Sequence, residues 1–234
     1  MITVANLGIT DYADALARMR AHVKQRAAGR RDMADEIWLT EHPPVFTLGF
    51  ASRREHLHAL GDIPVVETER GGQVTYHGPG QAIAYLLLDL RRRKLGVREL
   101  VCRIESGIID CLAGFGIEGL RQPGAPGIFL RKRPTGRDQE SRAEPPLAKI
   151  ASIGLKVSQG LTWHGVALNA QMDLEPFRRI DPCGYPGLEM TDVSAQAGAH
   201  FQGAIGQLPE RLATSLIAAI ESHAFNGRAQ PTEG

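Results

Sequence analysis

Apolar residues recur at Tyr12, Leu16, Met19, Val23 and Ala27, a spacing of three to four that predicts an amphipathic helix with Thr10 as its N-cap and Gly29 as its stop. The same period returns at Val97, Leu100, Val101, Ile104, Ile108, Leu112 and Phe115, closed by Gly114 and Gly116, and again at Leu212, Leu216, Ile217 and Ile220. Shorter apolar runs predict strands at residues 36–40, 45–49, 64–68, 83–88, 149–153 and 161–168. Pro43 and Pro44 cannot sit in a central strand, so they mark a turn or an edge. Residues 83–88 are apolar at every position, which suits a strand covered on both faces, and the second helix is expected to pack on its sheet. Strands interleaved with helices and no internal repeat give an α/β (α+β) class.

Residues 131–146 are charged, Pro-, Gly- and Ser-containing and too poor in apolar side chains to order themselves, so a mobile surface insertion is expected there. A polar tail is expected over 227–234, leaving one catalytic domain over 1–226 as the default for a chain of 234 residues with 43% hydrophobic content. Lys and Arg total 27 against 26 Asp and Glu, so no global field recruits nucleic acid or an anionic membrane. No run is long enough to cross a membrane as a helix and no secretory signal opens the sequence, which places the chain in the cytoplasm as an expectation. Three cysteines with no Cys-x-x-Cys spacing argue against a disulfide framework and a zinc site.

Two segments carry candidate chemistry. Arg70-Gly71-Gly72-Gln73-Val74-Thr75-Tyr76-His77-Gly78-Pro79-Gly80-Gln81 sets four glycines and two basic or titratable groups between strands. Glycines let a ligand approach the backbone, and Arg70 and His77 can orient a polar group, although a hairpin turn with incidental polar residues explains the pattern equally well. It ends in no Gly-Lys-Ser/Thr and is not a Gly-x-Gly-x-x-Gly opening a helix, so it is not a phosphate loop of either kind. Cys183 lies in Asp181-Pro182-Cys183-Gly184-Tyr185-Pro186-Gly187, whose prolines and glycines force a turn accessible to a bulky donor. Cys111 lies on the second helix's apolar stripe and Cys102 off it, and both are expected to be inert. A reactive thiol needs a neighbour that favours thiolate. His77, His164, Lys149 and Lys156 are the candidates, and spacing does not choose among them.

The Arg70–Gln81 block, residues 149–154 leading to Trp163-His164-Gly165-Val166-Ala167-Leu168-Asn169, and Pro182-Cys183-Gly184 together resemble the lipoate-biosynthesis octanoyltransferases, in that family's order and over nearly the whole chain. The resemblance implies the mixed-sheet catalytic domain of biotin and lipoate protein ligases. It implies Cys183 as the acyl-accepting nucleophile, Lys149 as the residue that activates it and shuttles protons, and Lys156 as a bystander. Acyl-binding segments implied in the same way are Arg70, Gly71, Gly72, Gln73, Val74, Thr75, Tyr76 and His77, then Ser152, Ile153 and Gly154, then Gly165, Val166 and Ala167. The reaction implied is transfer of an octanoyl or lipoyl group from acyl carrier protein to a lysine of lipoyl domains, in 2-oxoacid dehydrogenase complexes and the glycine-cleavage H protein. It would be the first step of endogenous protein lipoylation, with no cofactor, metal, nucleic acid or membrane. The alternative on the same fold is an ATP-dependent lipoate- or biotin-type ligase, and a further one is an acyl-binding module with Cys183 a spectator. In the implied scheme backbone N–H groups near Ser152 to Gly154 or at Cys183 stabilise the oxyanion.

Overall fold

The computed structural model describes residues 1–30, 32–132 and 146–222. Its strands are β1 (Ile2–Ile9), β2 (Asp35–Glu41), β3 (Val45–Leu48), β4 (Val65–Glu67), β5 (Val74–His77), β6 (Gln81–Leu87), β7 (Leu120–Gln122), β8 (Ala125–Arg131), β9 (Leu147–Ser158), β10 (Leu161–Asn169) and β11 (Glu189–Met190). Its α-helices are α1 (Tyr12–Ala27), α2 (Leu90–Arg93), α3 (Val97–Ala113), α4 (Val193–Gln196) and α5 (Leu208–Glu221). Among the described residues an eight-stranded sheet runs in the order β1-β2-β6-β10-β9-β8-β7, with β11 pairing β9 off that path, and a three-stranded sheet runs β4-β3-β5. Both sheets mix parallel and antiparallel pairs, β1 with β2 and β3 with β4 being parallel.

The all-apolar run at residues 83–88 is interior to the larger sheet, as its pattern requires. Its alternate side chains serve two cores: Ala82, Ala84 and Leu86 pack with α3 and α5, while Ile83, Tyr85 and Leu87 pack with Tyr12, Leu16 and Met19 of α1. A third core joins Phe46, Leu48, Val74 and Tyr76 of the small sheet to Phe177 and Ile180. At roughly 25 cal/mol per Å² of apolar surface removed from water, these cores are the main favourable term in folding.

Several details differ from the pattern reading. The first helix is capped at Asp11, not Thr10, whose hydroxyl donates back to Leu7 O at 3.2 Å. Strand β1 was not anticipated because most of it is exposed and its pattern is irregular. Strands β7 and β8 also went unread. The glycine-rich block is a loop only over Arg70–Gln73 and around Gly78–Gly80, since Val74–His77 pairs with β3. The expected insertion lies outside the described residues except at its ends, where Lys132 N donates to Pro146 O at 2.9 Å, and the expected tail over 227–234 lies outside them altogether.

The irregularity that matters most is in β9. Ile128 pairs with Ala151 and Phe129 with Lys149, leaving Ile150 as an extra residue. Such a bulge re-aims the side chains on either side of it. Here Ile150 and Ala151, neighbours in sequence, both enter the α3–α5 core. On its other edge β9 pairs with β10 from Ala151 onwards, and β11 takes over at Ala148 and Lys149. Lys149 therefore stands where one partner strand gives way to the next.

Candidate functional site

Strand β11 brings the Pro182-Cys183-Gly184 turn onto this junction. Thr191 N donates to Lys149 O at 2.9 Å, and six residues upstream of β11 the chain turns sharply. Gly184 N bonds Asp181 O at 2.9 Å and Tyr185 N bonds Pro182 O at 3.1 Å, a short 3-10 turn in which Cys183 takes φ 58° and ψ 17°. A non-glycine residue in this left-handed region holds conformational strain of the kind that clusters at functional sites. Gly184 follows at φ 76°, which favours glycine, and a Cβ there would fall 2.2 Å from the Gln73 carboxamide and displace the end of that side chain. Asp181 anchors the turn, accepting from His58 Nε2 at 3.0 Å and His56 Nδ1 at 3.1 Å. The bonds from His58 and then His56 hold its carboxyl below the ordinary aspartate range.

Of the four candidate partners for the thiol, only Lys149 reaches it. Lys149 Nζ donates to Cys183 Sγ at 3.1 Å and to Pro126 O at 3.0 Å, and stands 5.1 Å from the centre of the Phe129 ring. The side chain is 1% exposed and pairs with no carboxylate among the described residues. The ammonium directs its field at the sulfur in a poorly solvated setting. The Arg70 guanidinium, also buried, adds to that field at Cys183. Its donors are spent on backbone carbonyls and a hydroxyl: Thr47 O at 2.7 Å, Gln73 O at 2.6 Å, Gly71 O at 3.0 Å and Thr47 Oγ1 at 3.0 Å. Lys156 instead lies over the exposed Phe50 ring, 5.9 Å from its centre.

His77 and His164 are not cations here. Burial, then the nearby His42, pulls the pKa of His77 down to about 3, and burial lowers His164 to about 3. His77 Nδ1 lies 2.7 Å from Gln81 Oε1, which can only accept, so the proton sits on Nδ1. Each imidazole is neutral in the fold but protonated in the unfolded chain below about pH 6.5. The unfolded chain thus binds more protons between about pH 3 and 6.5, and stability falls as pH drops through that window. His77→Gln is expected to flatten the dependence of the urea midpoint on pH between 7 and 5 by up to about 1.4 kcal/mol per pH unit, the weight of one proton. An unaltered slope would show that His77 titrates alike in both states.

Cys183 stands at the lining of a cleft between the two sheets. The implied acyl-binding residues that line it are Arg70, Gly72, Gln73, Val74, Thr75, His77, Ser152, Ile153, Gly154, Gly165 and Val166. Three others lie outside the lining. Gly71 N donates to Leu155 O at 2.8 Å, Tyr76 packs between Phe46 and Phe177, and Ala167 belongs to the α1 core. The pattern reading did not identify Tyr12, Ile83, Tyr85 and His164 as lining residues. The sequence offers His164 only as a partner for the thiol, and Tyr85 is a phenol in an otherwise aliphatic run whose hydroxyl meets His42 Nε2 at 2.6 Å. Cys111 is buried at 3% exposure, and burial pushes its pKa up to about 12, which fits an inert thiol; Cys102 is half-buried on α3. Among the described residues no group of three or more His, Cys, Asp or Glu is placed to hold a metal ion, and no helix is long and apolar enough to cross a membrane.

Residues 11–213 match the model of the lipoyl protein ligase A/B catalytic domain. An octanoyltransferase of Pseudomonas entomophila is 50% identical over 85% of this chain and 84% of its own, and an octanoyltransferase of Cupriavidus necator is 47% identical over 99% and 88%. Among solved structures, the bipartite lipoate protein ligase of Thermoplasma acidophilum superposes with a TM-score of 0.59 at 12% identity over 93% of this chain and 80% of that one. A lipoate-protein ligase A bound with ATP gives 0.55 at 12% identity over 93% and 82%. At that identity these two likenesses speak for the fold alone.

Proposed function

The chain belongs to the lipoyl protein ligase A/B catalytic-domain family, and from that premise we propose that its thiol–amine pair works as a two-step acyl carrier. The chain is an acyltransferase that moves octanoyl groups in protein lipoylation, in keeping with relatives that share half its residues. The observation that carries the mechanism is the 3.1 Å contact between Lys149 Nζ and Cys183 Sγ beside a cleft between the sheets.

In the first half, the Cys183 thiolate attacks the carbonyl carbon of a thioester donor, and the new C–S bond forms as the donor's C–S bond breaks. The departing thiolate takes a proton from the Lys149 ammonium, leaving an acyl-enzyme beside a neutral amine. In the second half the neutral ε-amine of an acceptor lysine attacks that thioester, Lys149 takes the proton released, and Cys183 leaves as thiolate. The first exchange keeps the thioester's energy and the second spends it on the amide bond, so no nucleotide is consumed. Backbone N–H groups at the Cys183 turn or at Ser152–Gly154 are the proposed donors to the oxyanion.

Octanoyl-acyl carrier protein is the proposed donor. Lipoyl domains of 2-oxoacid dehydrogenase complexes and the glycine-cleavage H protein are the proposed acceptors, in the cytoplasm where such partners meet. Incubation with octanoyl-acyl carrier protein alone should add one octanoyl mass to the protein, labile to hydroxylamine and mapped to the Cys183 peptide. Labelling by free octanoate that depends on ATP, with none from the thioester, would make the protein a ligase instead. Binding of the donor with no adduct would make it an acyl-binding module.

A further inference from the structure

Lys149 Nζ has a second partner besides the sulfur, and that partner leads to a buried carboxylate which the transfer scheme does not use. The Pro126 carbonyl accepts from Lys149 at 3.0 Å, while the N–H of the same peptide unit, on Gly127, donates to Glu105 Oε1 at 3.3 Å. In a trans peptide the N–H and C=O point in opposite directions, so carboxylate, peptide, ammonium and sulfur follow one another in that order. A carboxylate at the N–H end polarises the peptide and strengthens the carbonyl end as an acceptor of positive charge.

Glycine at residue 127 leaves room for this arrangement. It has φ 130°, and a Cβ there would lie 2.4 Å from Ala151 O and 2.7 Å from Lys149 Cε, so any side chain would push the lysine aside. Glu105 reaches from α3 with 7% exposure, and its second oxygen accepts from Arg121 Nε at 3.1 Å. Satisfying one strand N–H needs only a neutral acceptor, whereas burying a charge costs more. Arg121 offsets that cost at one oxygen, and the other is left to act, through the peptide, on the amine beyond it.

We propose that Glu105 is a positioning residue for the Lys149 ammonium, acting through the Pro126–Gly127 peptide, and that Arg121 moderates its effect. This rests on the thiol–amine reading above. The negative group stands behind the positive end of the ammonium–thiolate pair and so favours the ionised pair over neutral thiol and amine. The other charged groups near this pair are Arg70, which interacts with Cys183 from the cleft side, and Asp181 at the start of the turn, which is held by His56 and His58. Neither is altered by a change at Glu105.

The test is alkylation of Cys183 by iodoacetamide in the full chain, followed by peptide mass between pH 5.5 and 9, alongside transfer kinetics. Glu105→Gln keeps an acceptor for Gly127 and removes the charge. Alkylation at pH 7 should slow by roughly threefold to tenfold, with the profile displaced to higher pH and kcat lowered at unchanged KM for the carrier protein. Arg121→Gln unmasks the carboxylate, and its profile should move the opposite way. A merely structural Glu105 would lower stability while leaving the alkylation profile in place, which overturns the proposal. Should Glu105→Gln fail to fold, Arg121→Gln decides alone, a shift to lower pH supporting the proposal and no shift overturning it. Lys149→Met separates the two levels of the argument. If it displaces the profile and Glu105→Gln does not, only the role of Glu105 falls; if it has no effect, the thiol–amine reading falls and this inference with it.

Discussion

Cys183→Ala is expected to lower octanoyl transfer by at least about 10³-fold, because no other described thiol can take the acyl group. Cys111 is buried on the core face of α3 and Cys102 lies on the same helix, outside the cleft lining. The protein should still fold, since Cys183 is half-buried on a turn and takes part in none of the three cores. Cys183→Ser keeps the shape but offers a far weaker nucleophile beside the same amine, and should lose transfer to a similar extent. Donor binding by either variant, measured by titration with octanoyl-acyl carrier protein, should survive. Transfer by Cys183→Ala at the normal rate would require a direct attack of the acceptor lysine on the carrier thioester and would remove the acyl-enzyme.

The second large effect concerns Lys149, where activity and stability are expected to part. Lys149→Met removes the group proposed to give and take protons in both halves, and general acid–base contributions of this kind are worth about 10²–10⁴ in rate. It also removes a fully buried cation with no carboxylate beside it and substitutes a flexible apolar chain of similar length. Relief of that desolvation opposes the loss of the hydrogen bonds to Pro126 O and Cys183 Sγ, so the urea midpoint should stay close to that of the parent. A variant that loses transfer because it unfolds would instead show a lowered midpoint. One that keeps transfer would leave the lysine a structural role only.

Parts of this picture are written in the sequence at short range. The period of α1, α3 and α5, the doubly covered strand β6 and the turn at Pro182-Cys183-Gly184 follow from neighbours a few residues apart. The unread parts depend on what covers a strand rather than on the strand itself. Strand β1 is mostly exposed, β11 is two residues long, and β5 hides between glycines that read as loop. The pairing of Cys183 with Lys149 belongs to the same class. Thirty-four positions separate them, and spacing left Lys149 level with His77, His164 and Lys156 until family resemblance favoured it. The fold separates the four by physical means, by burying the two imidazoles in their neutral form and sending Lys156 to the surface with Phe50. Gly127 and Glu105 left no pattern at all, since a bulge and a carboxylate behind a peptide have no periodic signature.

The two-residue strand β11 has a consequence for when the protein is competent. It clips the segment that carries the sulfur to the very residue that carries the amine, through Met190 beside Lys149 and a single amide from Thr191. So short a clasp can open while the other seven strands of that sheet stay paired, because local opening needs far less free energy than global unfolding. A population of molecules can then be fully folded by every bulk measure and yet idle, with thiol and amine parted; turnover per molecule becomes a gauge of how often the clasp is shut.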